Sequence, residues 1–152
     1  MIVQGVTLTG TTVVDHLPIV TSGLIYYINA GDTSSYSGSG TSLNNISGTA
    51  PGAATLANGP TFTSNGVGSY FTFNGSTQTV YTASMFSLVN SPINENVTLE
   101  AWVRTSSDNG VVASEQGNSP INTGWHDSQI EIVSGNLRVG VYTAAGLANL
   151  LV

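Results

Sequence analysis

Hydrophobic and polar residues alternate in short runs along this chain, and Gly, Asn, Ser and Pro repeatedly interrupt the runs. A repeat of two residues is typical of β-strands, because successive side chains of a strand point to opposite faces. The clearest alternation predicts a strand over residues 96–105, with apolar residues on one face and Thr98, Glu100, Trp102 and Arg104 on the other. Helical periodicity is nearly absent, so the pattern predicts an all-β fold.

Shorter apolar or alternating runs predict further strands at residues 3–14, 24–28, 69–73, 78–82, 129–133 and 137–143. Asn74-Gly75 predicts a tight turn, and Ser134-Gly135-Asn136 predicts a hairpin between the last two strands. One register of that hairpin places Glu131 opposite Arg138, although the sequence alone does not fix the register. We expect residues 29–60 to form surface loops with few buried side chains and at most one short strand or helical turn. Residues 84–90 are expected to form a short helical turn.

The composition narrows the classes of function. The 152 residues fit a single domain, and the 40% of hydrophobic residues are enough for a sizeable core. Lys and Arg together number only 2, and the formal net charge is -6. Binding to nucleic acid or to a membrane surface through a basic patch is therefore not expected. The chain has no cysteine, and none of its apolar runs approaches the roughly 20 residues that a membrane helix needs.

The start of the chain lacks the basic flank and the long apolar stretch of a secretory signal. We therefore expect Met1 to begin a mature protein.

Five pieces of the sequence, in this order, carry a family resemblance. They are GLIYYINAG at 23–31, SYSGSG at 35–40, GPTF at 59–62, YFTFNG at 70–75 and VTLEAWV at 97–103. Together they resemble laminin G-like domains of the concanavalin A-like lectin/glucanase superfamily, in the version found in phage and bacterial surface proteins. The resemblance covers residues 22–145 and implies an antiparallel jelly-roll sandwich of two sheets.

The expected domain boundaries follow from this resemblance. Residues 22–152 are expected to form the jelly-roll domain without its last strands, because the family domain normally continues further and the apolar tail 144–152 has no polar cap. Residues 1–21 are expected to form an N-terminal β segment or assembly arm. Within it, residues 3–14 fit both a strand added to a neighbouring subunit's sheet and an ordinary first strand of the domain.

Two features bear on calcium. The family usually has an aspartate-glycine turn followed by acidic residues, where this chain has Asn74-Gly75-Ser76-Thr77-Gln78. Calcium prefers several charged oxygens, so this change weakens a calcium site and no cofactor is expected. Asp32 heads a Gly- and Ser-rich loop and is expected to bond its own backbone as a turn residue, with a calcium ligand as the alternative.

Catalysis of glycoside cleavage needs two carboxylates about 5–10 Å apart. Members of the superfamily that cleave glucans typically place two glutamates and an aspartate on one strand, whereas Glu100 and Glu131 each stand alone here. These two glutamates can satisfy the requirement only by meeting across a sheet. We therefore expect a protein without enzymatic activity, and we expect Trp102 to pack in the interior.

Sugar binding uses an aromatic face together with amides and carboxylates that bond hydroxyl groups. Trp125, Asn122, His126 and Asp127 supply these groups within a predicted loop. They are the candidate glycan-contact residues, and packing beneath the loop is the alternative role for Trp125.

The resemblance implies a non-enzymatic phage virion protein, such as a decoration, tail or fibre component. We expect it to lie on the virion surface, to form homo-oligomers and to contact other virion proteins, with a host-surface glycan as a further partner. The alternative is a carbohydrate-binding module of a secreted or cell-surface bacterial protein.

Overall fold

The computed structural model describes residues 19–49, 52–65, 68–83, 98–116, 126–143 and 146–151. Over these residues the protein is all-β, as the alternating pattern predicts, with antiparallel strands in three small sheets and no helix. The chain divides into two compact units, Met1–Val97 and Thr98–Val152, which are called the N-terminal unit and the C-terminal unit below. Because no helix occurs in the described ranges, none of them contains a helix able to cross a membrane.

The N-terminal unit contains five short strands. They are β1 (Ser42–Leu43), β2 (Ala54–Ala57), β3 (Thr61–Asn65), β4 (Gly68–Thr72) and β5 (Thr79–Tyr81). One sheet has the order β1-β2-β5, and β3 pairs with β4 in a separate hairpin. The strands predicted at 69–73 and 78–82 are thus present, but Asn74-Gly75 does not join them as a hairpin, since β4 and β5 lie in different sheets.

The buried core of the N-terminal unit contradicts one expectation from the sequence. Residues 29–60 were expected to bury few side chains and to hold at most one short strand, yet they contain both β1 and β2. Four buried hydrophobic residues form the core, all of them from this range: Tyr36, Leu43, Ala54 and Leu56. The Tyr36 ring packs edge-on against Phe62 and Phe71, with ring centroids 4.9 and 5.0 Å away.

Residues 24–28 do not form the predicted strand. Their backbone groups bond a neighbouring loop, mainly through the Asn45 side chain, instead of another strand. The Asn45 side chain accepts a hydrogen bond from the Tyr27 amide at 2.9 Å and donates one to the Ile25 carbonyl at 3.2 Å. The Tyr27 carbonyl accepts from the Ile46 amide at 2.9 Å. The apolar run is therefore held by a neighbouring loop rather than by a sheet.

The C-terminal unit is one four-stranded antiparallel sheet in the order β6-β7-β8-β9. Its strands are β6 (Asn109–Gln116), β7 (His126–Val133), β8 (Asn136–Thr143) and β9 (Gly146–Leu151). Strand β9 lies in the apolar tail, where the sequence showed no turn and no strand was predicted. Its pairing with β8 is continuous over six residue pairs.

The predicted β7–β8 hairpin is confirmed, and its register is now known. Ser134 and Gly135 form the two-residue turn with φ of 51° and 78°, the positive values that favour a close hairpin turn. Glu131 lies opposite Arg138, and the Arg138 Nε donates to the Glu131 carboxylate at 2.6 Å. On the other face, Ile130 and Ile132 pair with Val139 and Leu137, so the same register brings the apolar residues of the two strands together.

The strand predicted over 96–105 is wrong for residues 98–105, which have no ladder partner and are all exposed. Alternation specifies a strand only where another strand completes its hydrogen bonds, and no described strand lies beside this segment. Residues 96–97, the predicted strand at 3–14, the helical turn at 84–90 and most of the 1–21 arm lie outside the described residues. The sheets do not by themselves establish a jelly roll.

Candidate functional site

Two of the four candidate sugar-contact residues, His126 and Asp127, lie at one end of the β6–β7 ladder. The register pairs Glu115 with Asp127 and Gln116 with His126 at the last two positions before the strands separate. His126 and Asp127 were predicted in a loop, but the structure places both in strand β7. Trp125 directly precedes β7 in the chain and Asn122 lies three residues earlier, and both fall outside the described residues.

This arrangement adds Glu115 and Gln116, which the sequence did not single out. The ladder contains two irregularities: the register shifts between Val111 and Ala113 and again between Ala113 and Ser114. The shifts compensate each other, so that Val112 and Gln129 have no direct partner and the pairs at Glu115 and Gln116 keep the register of the Asn109–Val133 pair. Glu115 was missed because the sequence predicted no strand over residues 114–116.

All four backbone positions at this strand end belong to polar residues. They are Glu115 and Gln116 in β6 and His126 and Asp127 in β7, and Trp125 directly precedes His126 in the chain.

The other carboxylates of the C-terminal unit are arranged differently. Glu131 forms an ion pair with Arg138, and its cross-strand neighbours in β6 and β8 are Val111 and Arg138. Glu100 is exposed in the 98–105 segment, outside every described ladder. The two glutamates considered for glycoside cleavage are therefore not neighbours in any described sheet.

Trp102 was expected in the interior, but its side chain is 70% exposed. Leu99 and Val103 in the same segment are 51% and 55% exposed. No described strand pairs with this segment, and its apolar and polar residues are exposed alike. The segment is an uncovered apolar stretch on the C-terminal unit.

The loops considered for calcium bond their own backbone. The Asp32 carboxylate accepts from the Ser34 amide at 2.8 Å, which confirms the predicted turn aspartate. The Asn74 side-chain oxygen accepts from the Ser76, Thr77 and Gln78 amides at 3.0–3.1 Å. Within the described ranges, no group of three or more His, Asp or Glu residues is arranged to hold a metal ion.

One titratable group in the described chain has a shifted pKa. Burial raises the pKa of the Tyr26 phenol above its ordinary value of 10.0, and the nearby Thr82 hydroxyl offsets part of that rise. Both hydroxyl oxygens are buried without a hydrogen-bond partner.

Comparisons with protein-family models, with curated proteins and with solved structures each found no match to this chain. The resemblance to laminin G-like domains therefore stays a prediction from the sequence, and the functional argument depends on the surfaces described above.

Proposed function

We propose that the chain is a non-enzymatic structural protein of a phage virion surface, such as a decoration, tail or fibre component. It assembles with copies of itself and with other virion proteins through uncovered apolar surface. The phage assignment derives from the sequence resemblance, and the assembly function from the distribution of exposed apolar residues.

The observation that carries the assembly function is the exposure of large apolar side chains. Leu99, Trp102 and Val103 lie together in one exposed segment of the C-terminal unit. A contiguous exposed apolar stretch of this kind is typical of a surface that another protein covers. The segment is also rich enough in β-forming residues to pair with a partner's backbone.

The C-terminal sheet supports the same conclusion. None of its described side chains belongs to the buried hydrophobic core that the described residues of the N-terminal unit form. Leu137 is 38% exposed on the face that also carries Ile130, Ile132 and Val139. A sheet with an apolar face is stable only when a second layer covers that face, and a neighbouring subunit supplies such a layer.

The test is the solution mass of the 152-residue chain, measured by light scattering across a concentration series. We expect a mass well above the 15.6 kDa of one chain, and we expect the double variant Leu99→Ser/Trp102→Ser to reduce it. Tyr70→Ser is the matched control, because Tyr70 is 50% exposed in the other unit. A mass of 15.6 kDa at every concentration would contradict the assembly function.

The second candidate is a carbohydrate-binding module, which the residue types of Asn122, Trp125, His126 and Asp127 favour. A module of this kind works as a monomer and binds sugar through Trp125 and the adjacent polar residues. Titration with a glycan panel by calorimetry distinguishes it. Trp125→Ala should then abolish binding while Trp102→Ala, the chain's other tryptophan, leaves binding unchanged.

A further inference from the structure

We infer that the outer edge of β9 is the contact through which two copies of this chain join their C-terminal sheets into one continuous sheet. This inference depends on the assembly function proposed above and names its partner, which is a second copy related by a two-fold axis.

Among the described residues, β6 and β9 are the two edge strands of the C-terminal sheet, and they differ in how well they accept another strand. Edge strands of stable monomers are usually protected by charge, proline, bulges or short length. Strand β6, at one edge, carries two register irregularities and the charged Glu115. Strand β9, at the other edge, has the sequence GLANLL, with no charge and no proline, and pairs with β8 without a bulge.

The register identifies which backbone groups of β9 face outward. Thr143 pairs with Gly146, and only two residues separate them in the chain. If this were a non-bonded pair, those two residues would have to hydrogen-bond each other across the ladder, which adjacent residues cannot do. This pair must therefore exchange both of its hydrogen bonds, and bonded pairs then alternate with non-bonded pairs along the strand. Gly146, Ala148 and Leu150 bond β8, whereas the amides and carbonyls of Leu147, Asn149 and Leu151 face away from it.

The β7–β8 hairpin gives an independent check of this alternation. Val133 and Asn136 flank the Ser134-Gly135 turn in the same way, so they also form a bonded pair, as do Glu131 and Arg138. Arg138 thus directs its backbone groups toward β7, while Val139 directs its groups toward β9. Val139 pairs with Leu150, one of the inward residues deduced above.

The outward amides and carbonyls of β9 can hydrogen-bond the same groups of β9 in a second copy. When two copies pair antiparallel around Asn149, that residue meets its own equivalent and Leu147 meets Leu151 of the second copy. Each pair exchanges both hydrogen bonds, and the contact is isologous and closed.

Two arguments identify the partner as β9 of a second copy: the net charge of the chain, and the need for a contact that closes rather than forming a filament. The chain carries a formal net charge of -6, so two copies repel each other unless they meet at an uncharged surface. Stacking β9 of one copy on β6 of the next would produce an open filament. The irregular, acidic edge of β6 disfavours that arrangement and leaves the two-fold contact of β9 with itself.

The test uses Leu99→Ser/Trp102→Ser as a background, so that the 98–105 segment no longer contributes to association. Light scattering should give this background chain twice the mass of one chain. Adding Asn149→Pro removes an outward amide that does not bond β8, and edge strands tolerate proline at such a position. This substitution should halve the mass to 15.6 kDa. Asn149→Ala retains the amide and should leave the dimer intact.

Asn149→Lys provides a second disruption that keeps the backbone unchanged, and far-UV circular dichroism checks that each variant is folded. Three results would overturn the β9 contact. They are a dimer that survives both Asn149→Pro and Asn149→Lys, a background chain that is monomeric, and an assembly with an odd number of copies. Wild-type assembly accompanied by any of these results leaves the assembly function standing. A monomeric wild type overturns both.

Discussion

In the part of the chain that the structure describes, the strands of the N-terminal unit have at most five residues, whereas the C-terminal unit has three strands of eight residues and one of six. In the first unit, side chains of Asn45, Ser35 and Asn74 bond backbone groups that no ladder reaches. In the second unit, the ladders satisfy most backbone groups. Every buried polar backbone group needs a partner, and the two units meet that requirement in different ways.

Because of this difference, the two units should respond differently to substitutions. The N-terminal unit depends on a few polar side chains and on a small core around Tyr36 and Leu43. The C-terminal unit has a regular backbone but contributes no described side chain to that core. We therefore expect substitutions in the N-terminal unit to lower the free energy of unfolding, and we expect the important surface substitutions in the C-terminal unit to alter association.

The largest expected effect is that of Leu43→Ala, because Leu43 is 1% exposed and lies at the centre of the core. Removing its side chain should lower the free energy of unfolding by about 3 kcal/mol, through lost burial and the cavity left behind. Urea denaturation followed by near-UV circular dichroism measures the change. Leu99→Ala, at an exposed leucine of the other unit, is the control and should cost about 0.5 kcal/mol or less.

Asn45→Ala should cost about 2 kcal/mol, because it leaves the half-buried Tyr27 amide without a partner. Four contacts of the Asn45 side chain are lost together: those to the Tyr27 amide, the Ser47 amide, the Ile25 carbonyl and the Thr49 carbonyl. The matched control is Asn136→Ala, which removes one exposed local hydrogen bond to Ser134. Equal losses in the two variants, by the same denaturation assay, would contradict the difference between the units.

The ion pair of Glu131 with Arg138 should contribute less than either of these. Its side chains are 14% and 32% exposed, so solvent screens the attraction only in part, and we expect a coupling of about 1 kcal/mol. A double-mutant cycle with Glu131→Gln and Arg138→Gln measures it, and the coupling should fall as salt is added. A coupling that does not change between low and high salt would show that shape, rather than charge, holds this pair.

The smallest expected effect is a gain in stability. Tyr26→Phe removes a buried hydroxyl without a hydrogen-bond partner and should raise the free energy of unfolding by about 0.5 kcal/mol. Because the folded pKa of Tyr26 is raised, its contribution is fully present below pH 10.0 and is lost as the pH rises through the folded pKa. The variant should therefore lose less stability than the wild type in that alkaline range, measured by denaturation at several pH values, with Tyr81→Phe as the exposed control. The reverse order would contradict the burial of the Tyr26 phenol.

The sequence predicted best where turn chemistry and alternation acted together. Ser134-Gly135 determined the β7–β8 hairpin, and the same-face apolar residues of β7 and β8 are as expected. Residues 98–105 show the limit of alternation, because a strand also needs a partner that no local pattern can supply. The core at Tyr36 and Leu43 was missed because β1 and β2 are too short to show a period.

The candidate site shows the same division between local and long-range information. His126 and Asp127 were identified by residue type, but Glu115 and Gln116 lie beside them only through the pairing of β6 with β7, which no local pattern predicted. Strand β9 was missed for a related reason, since Ala144-Ala145 is not a turn signal and only pairing with β8 defines the strand.

Amide hydrogen exchange along β9, measured at low and at high protein concentration, tests the central claim most directly. At low concentration the amides of Ala148 and Leu150 should be protected by β8, and those of Leu147, Asn149 and Leu151 should exchange freely. At high concentration the account predicts protection of all five, because the second copy occupies the outward groups. Free exchange of Leu147, Asn149 and Leu151 at every concentration would contradict it.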